Sequence, residues 1–348
     1  MKKIFALLSL LILALALTGC GGGEKKDAKA EAPKFTASNK YDGDLSGVTL
    51  NIGAAQSRNA TGVVKAAGLD NTPYKVNFHN LRGGNLVIEA LAANQIDAGC
   101  GSQIPPIFAA ASGNDSNLKI VAIRRGATLN QEVIVGPKTK DTIKTIADLK
   151  GKKVAYVKNT TAHYFLNKML EDAGLKWDDV ETLAMSTSDA VTAILTGDID
   201  AFAGYGSAVM TAKSKGAVTL QTADKILTGD YYWYATPETL SNPAKRAALL
   251  DYLERINEAN EWIRVNPEVW SKYYAKETNQ KVEDYRKIFD AEEAQVKSRI
   301  APITDATIAD EQDIINTFVK LGVLKSSIDA KTLFDRTLDE GISKFKVY

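Results

Sequence analysis

Cysteine is scarce. Cys20 and Cys100 are the only two in 348 residues, too few for a disulfide framework. Histidine is as scarce, with His79 and His163 alone, so a His-rich metal cluster is excluded. Neither sign of charge dominates, since 43 Lys and Arg stand against 42 Asp and Glu. No basic block appears, which removes the electrostatic footprint of a nucleic-acid binder. Beyond the N-terminus no run approaches the roughly 20 apolar residues of a spanning helix, and no motif calls for a cofactor. What is present is globular: 45% hydrophobic, 24% charged and 8% aromatic. Those proportions exclude a disordered, collagenous or coiled-coil chain. The length allows one large domain or two ordinary ones, each able to bury a core.

The N-terminus has a different character. Lys2 and Lys3 precede Ile4–Leu17, which is apolar except for Ser9. That run is short for a membrane span and right for the apolar region of a signal peptide. It ends in Leu17-Thr18-Gly19-Cys20, which resembles a bacterial lipobox. The expectation is cleavage after residue 19 and lipidation of Cys20. Gly21 to Lys34, rich in Gly, Lys, Ala and Glu, has almost nothing to bury and reads as a flexible tether extending to residue 44.

From residue 45 onward strands alternate with helices, the pattern of an α/β fold with mostly parallel pairing. Val48–Gly53, Tyr74–Phe78, Ile96–Gly99, Leu118–Ile123 and Glu132–Val135 read as strands of a first block. Lys153–Val157, Val180–Ala184, Ile199–Phe202 and Val218–Thr222 read as strands of a second. Thr160 or Thr161 caps a helix running to about Asp172. One pattern occurs in both blocks: a helix ends at Asn94 or Gly197, and an Ile-Asp-Ala strand follows at Ile96 or Ile199. Asn and Gly both tolerate the left-handed conformation that ends helices. The repetition predicts two similar lobes, residues 45–136 with 231–348 and residues 137–230. Helices after Asn242 are expected to pack on the first lobe.

Several runs, taken in order, resemble the aliphatic sulfonate, taurine and nitrate family of ABC-transporter substrate-binding lipoproteins. They are Glu89-Ala90-Leu91 through Ile96-Asp97-Ala98-Gly99, Pro105-Pro106-Ile107-Phe108-Ala109, Ile146 through Ala155, Thr160 through Tyr164, and Gly197-Asp198-Ile199-Asp200-Ala201. The resemblance covers roughly residues 48 to 270. It implies a two-lobed, type II-like periplasmic-binding-protein fold with the ligand between the lobes. It implies a monomeric receptor, lipid-anchored on the extracytoplasmic face, that delivers a small organic anion to an ABC permease and its ATPase. Two loops depart from the family. Ala203-Gly204-Tyr205-Gly206-Ser207 stands where a Trp-Asp-Pro-like triplet is common, and Ser102-Gln103-Ile104 precedes the two prolines.

In open α/β sheets the binding crevice lies at the carboxyl ends of the strands. The loops there carry Gln56, Arg82, Ser102 and Gln103 in the first block, and Thr160, Thr161, His163 and Tyr205 in the second. A sulfonate offers three acceptor oxygens and one charge. Hydroxyls, amides and helix-start N–H groups can satisfy it without an ion pair, and an aromatic face can cover its organic tail. The competing readings are a nitrate or thiamine-precursor-like heterocycle receptor, an enzyme using Cys100 as nucleophile with His79 as base, and an envelope scaffold without a cleft.

Overall fold

The computed structural model describes residues 31–54, 59–81, 84–113 and 117–348. Strands are β1 Thr49–Ala54, β2 Lys75–Asn80, β3 Ala98–Ser102, β4 Lys119–Arg125, β5 Gln131–Val135, β6 Lys153–Tyr156, β7 Glu181–Ala184, β8 Ala201–Tyr205, β9 Val218–Thr222, β10 Asp230–Ala235 and β11 Arg299–Ala301. Helices are α1 Thr61–Ala66, α2 Gly84–Ala92, α3 Ile104–Ala111, α4 Thr161–Asp172, α5 Thr187–Thr196, α6 Gly206–Ser214, α7 Pro237–Ser241, α8 Pro243–Val265, α9 Pro267–Thr278, α10 Val282–Gln295, α11 Asp305–Lys320 and α12 Asp339–Ile342. None of them, among the described residues, is long and apolar enough to cross a membrane.

Two sheets form. The first runs β11-β4-β10-β3-β1-β2 and the second β7-β6-β8-β5-β9. The repeated Ile-Asp-Ala pattern has the same job in each. Asp97 begins the turn into β3, and its carboxylate accepts the N–H of Asn51 on the neighbouring β1 at 2.7 Å. Asp200 before β8 accepts the N–H of Lys153 on β6 at 2.9 Å. Each Asp therefore pins the start of the adjacent parallel strand. The helix-ending residues are left-handed as the sequence requires, Asn94 at φ 55° and Gly197 at φ 81°.

Pairing is more mixed than the alternating pattern suggests. β10 is antiparallel to both β3 and β4, and β5 is antiparallel to β8 and β9. β5 also changes lobe. The sequence assigns residues up to 136 to the first lobe, because only residues 126–130 separate β4 from β5 and sequential strands usually pair. In the structure β5 lies in the second sheet, so the first crossing between sheets comes before β5. The return crossing ends at β10. The two crossings touch at Gly126 and Gly229: a Cβ on Gly229, at φ 75°, would lie 2.0 Å from the Gly126 carbonyl oxygen. β11, an edge strand between two helices, has no counterpart in the sequence reading. It is three residues long and antiparallel to β4.

α8 packs against α1 and β1, as expected of a helix on the first lobe. α11 does more. Its Phe318 lies in one continuous apolar core with Ile104 and Ile107 of α3 and Phe165 and Met169 of α4. That core joins the two sheets. A separate core of Ile134, Ile194, Phe202 and Val209 lies under α5 and α6 on the other face of the second sheet.

Candidate functional site

β3 delivers Ser102 to the strand end, and the prolines in the first turn of α3 fix where the helix begins. The Ser102 carbonyl accepts a hydrogen bond from the Tyr234 hydroxyl. Gln103 is buried at 4% exposure, and its Nε2 donates to the Tyr232 hydroxyl at 3.1 Å. Tyr232 in turn donates to Glu311 Oε2 of α11 at 2.9 Å. Burial pushes the Glu311 carboxyl up to about 8.

On the second sheet β6 feeds α4, and Thr160 is its N-cap. The Thr160 hydroxyl donates to the Val157 carbonyl at 2.7 Å and accepts the Ala162 N–H at 3.2 Å. The Tyr205 phenol lies beside Thr160 and near Tyr231 of the first sheet, and burial raises its titration. Tyr231 is paired with Ser102 across β10 and β3. These contacts bring together Ser102, Tyr231, Tyr205 and Thr160 at the seam between the sheets. The Thr161 hydroxyl donates to Gln131 Oε1 at 2.7 Å. Sequence reasoning takes the two threonines as donors for an anion. In the structure both protons are already engaged, so an incoming anion must exchange with Val157 or Gln131. The Thr161 N–H, at the first helical position, has no intrahelical partner.

His163 is fixed by its surroundings. Its ring lies 4.7 Å from Tyr156, 5.0 Å from Trp177 and 5.4 Å from Phe318. Nδ1 accepts the Asn159 N–H at 3.4 Å, which leaves the proton on Nε2. Burial, with help from the positive charge of Lys158, holds the imidazole down to about 4, so it is neutral at pH 7. The ring borders a cavity of about 420 Å³ together with Phe108, Tyr156, Lys158, Asn159 and Trp177. The turn after α11 closes that cavity. Phe108 of α3, which follows a strand of the first sheet, and His163 of α4, which follows a strand of the second, therefore border one space.

Gln56 and Arg82, and Cys20, the residue expected from the sequence to be lipidated, lie outside the described residues. Cys100 is buried in β3, and burial pushes its thiol up to about 12. β1 stands between β3 and the strand that carries His79. A protonated thiol with a strand between it and the proposed base is poorly made for nucleophilic attack. Sequence reasoning missed three residues that shape the site: Gln131, Tyr232 and Glu311. Each is far in sequence from the residue it holds, and local pattern carries no signal for such pairs. Among the described residues no cluster of His, Cys, Asp or Glu is arranged to hold a metal ion.

The chain matches the profile of the family described as NMT1/THI5 like over residues 54–255. It is 34% identical over 172 residues to the "Putative aliphatic sulfonates-binding protein" of Escherichia coli (strain K12), a match spanning 49% of this chain and 53% of that one. The chain thus spans about half the length of the curated relatives it matches. Its structure resembles the crystal structure of the periplasmic aliphatic sulphonate binding protein SsuA from Escherichia coli with a TM-score of 0.74 and 26% identity. That match covers 82% of this chain and 92% of the other. The two-lobed fold also resembles that of the desulfurization enzyme DSZB, at a TM-score of 0.62 and 12% identity over 86% and 99% of the two chains.

Proposed function

This chain belongs to the NMT1/THI5-like family, and from that premise we propose that it is the solute receptor of an ABC importer. It captures a small organic anion, an aliphatic sulfonate or taurine-like compound, by closure of its two lobes and passes it to the permease. The observation that carries this reading is the likeness to the Escherichia coli sulphonate-binding structure across most of both chains. The DSZB likeness concerns the fold alone, and fold does not fix function. The buried, protonated Cys100 gives no support to an enzyme.

The anion head docks at the start of α4. The Thr161 N–H and hydroxyl meet it from the second lobe, and Ser102 or Gln103 from the first. Tyr205 covers the organic part. Gln56 and Arg82 complete the first-lobe side, and His163 contributes through the aromatic cavity as a neutral donor. The receptor works as a monomer on the extracytoplasmic face, held by a lipid on Cys20.

A thermal-shift screen of the chain against alkanesulfonates, taurine, nitrate and thiamine-precursor pyrimidines tests the reading directly. Stabilisation by a sulfonate is the expected result; stabilisation only by a pyrimidine, or by nothing, overturns it. Titration calorimetry then locates the head group. Thr161→Ala removes a bond to a charged group and is expected to weaken binding about tenfold. Thr160→Ala removes the helix cap and should lower stability by about 1 kcal/mol with affinity unchanged. Wild-type affinity in both variants would place the head group elsewhere. For the anchor, Cys20→Ala is expected to release the protein from the membrane fraction or leave it unprocessed. Unchanged membrane association would refute lipidation.

A further inference from the structure

Gln103, Tyr232 and Glu311 form a buried chain of hydrogen bonds that starts at the proposed ligand cleft and ends on a carboxyl inside α11. Tyr232 and Glu311 are fully buried and Gln103 nearly so. A phenol has one proton to donate, so the chain can run in only one direction at a time. As found, the Gln103 N–H donates to Tyr232, and Tyr232 donates to Glu311. Both bonds point toward the carboxylate, as its acceptor-only character demands. One Gln103 N–H is then held by Tyr232, which turns the nitrogen end of the amide toward the phenol and leaves its oxygen as the end turned toward the cleft. Glu311 Oε1 is buried without a hydrogen-bond partner, an expensive state for a carboxylate and a tolerable one for a carboxylic acid.

We propose that Glu311 is a positioning residue that sets, through Tyr232, which end of the Gln103 amide faces the ligand. When Glu311 is ionised, Gln103 presents its carbonyl oxygen. When Glu311 carries a proton, it donates to Tyr232, Tyr232 donates to the Gln103 oxygen, and the amide turns its N–H groups outward. No covalent bond changes; one proton is taken up from solvent and the amide rotates. The cleft therefore prefers an acceptor-only anion in the protonated state. This inference rests on the reading of Gln103 as a ligand contact.

The groups around Glu311 push its equilibrium one way. Tyr232 and Tyr234 face it from β10, and Asp310 adjoins it on its own helix. Asp230 adds negative charge near Tyr232. The compensating cation is Arg125 on β4, which pairs with Asp230 at 3.4 Å and also acts on Asp310. Burial and Asp310 favour the protonated carboxyl, and the Tyr232 bond favours the ionised one, with titration at about pH 8.

The test has one arm without ligand and one with it, both on the full chain. In the first, glutamine side chains are labelled with ¹⁵N and the Gln103 NH₂ pair is assigned through Gln103→Ala. Its resonances are expected to move with pH in the wild type, to be static in Glu311→Gln, and to move again in Glu311→Asp. A Gln103 signal that moves equally in Glu311→Gln, or is static in the wild type, overturns the proposal. In the second arm, ethanesulfonate is titrated from about pH 6 to about pH 9, a range in which its own charge is constant. Wild-type affinity is expected to fall about fivefold to tenfold across that range and to be level in Glu311→Gln. An unchanged slope in Glu311→Gln also overturns the proposal. If ethanesulfonate binds nowhere in the range while the Gln103 signal follows Glu311, the sulfonate-receptor reading fails and the positioning role stands.

Discussion

Phe318→Ala is expected to destabilise the fold by about 3–5 kcal/mol, the usual cost of deleting a buried phenylalanine ring. The ring is fully buried, and its position is unusual. Its centroid lies 5.5 Å from Phe108 of α3, 5.4 Å from His163 and 6.5 Å from Tyr164 of α4. It therefore touches helices that belong to different sheets, and its loss acts on the seam as well as on a local core. Two results should follow. Urea denaturation will show the drop in stability, with Phe318→Leu recovering most of it. Small-angle scattering of the ligand-free variant will show a larger radius of gyration than the wild type, because less apolar surface holds the lobes together. A loss below about 1 kcal/mol would mean that the site collapses around the missing ring, and that the seam is held by other contacts.

Acid should act through His163. Its imidazole titrates near 4 in the folded protein against 6.5 for the free side chain. Above pH 6.5 the group is neutral in both states and contributes no pH dependence. As the pH falls below that value the unfolded chain takes up the proton first, so folding stability drops until about pH 4 and then levels. A shift of this size corresponds to about 3 kcal/mol. Glu311 has the opposite sign over part of the range. Its raised titration makes the folded state bind more protons than the unfolded one between 4.5 and about 8, so its contribution declines as pH rises. The His163 effect is therefore read as a difference between wild type and His163→Gln at each pH. The stability of the wild type relative to the variant should fall by about 3 kcal/mol from pH 6.5 to pH 4 and be constant above. A level difference over the whole acid range would mean that the folded protein protonates His163 without penalty.

The parts of the molecule that can be read from sequence are those whose cause is local. α4 announces itself by a threonine cap and apolar spacing, and the structure confirms Thr160 as the cap. Asn94 and Gly197 stand where a helix must turn left-handed, and the Ile-Asp-Ala strands after them pair as equivalents. β5 was assignable as a strand but not to a sheet, since a short connection suggests pairing with β4 that the two crossings prevent. β11 is too short to carry a period. The site divides in the same way. Its loops follow from strand ends, so the places of Ser102, Thr160 and Tyr205 in the fold are legible in the sequence. Which hydroxyl is already engaged depends on Gln131, and which end of Gln103 is free depends on Glu311, more than 200 residues downstream. Such pairings are decided by tertiary packing and leave no trace in a window of ten residues.

The central position of β10 also governs the order in which the protein can be made. β3 and β4 are its two partners in the first sheet, and both leave the ribosome about 100 residues before it does. At 5–20 residues per second that is a wait of roughly 5–20 seconds, during which the second lobe is synthesised in full. Until β10 arrives, two interior strands have bare edges facing an empty place, and bare edges invite pairing with other chains. The first lobe cannot finish folding while the chain is nascent, and it closes only after the second lobe has been made. The arrangement builds a delay into the completion of the first lobe, and a carrier that covers β3 and β4 during the interval would protect it at its most exposed moment.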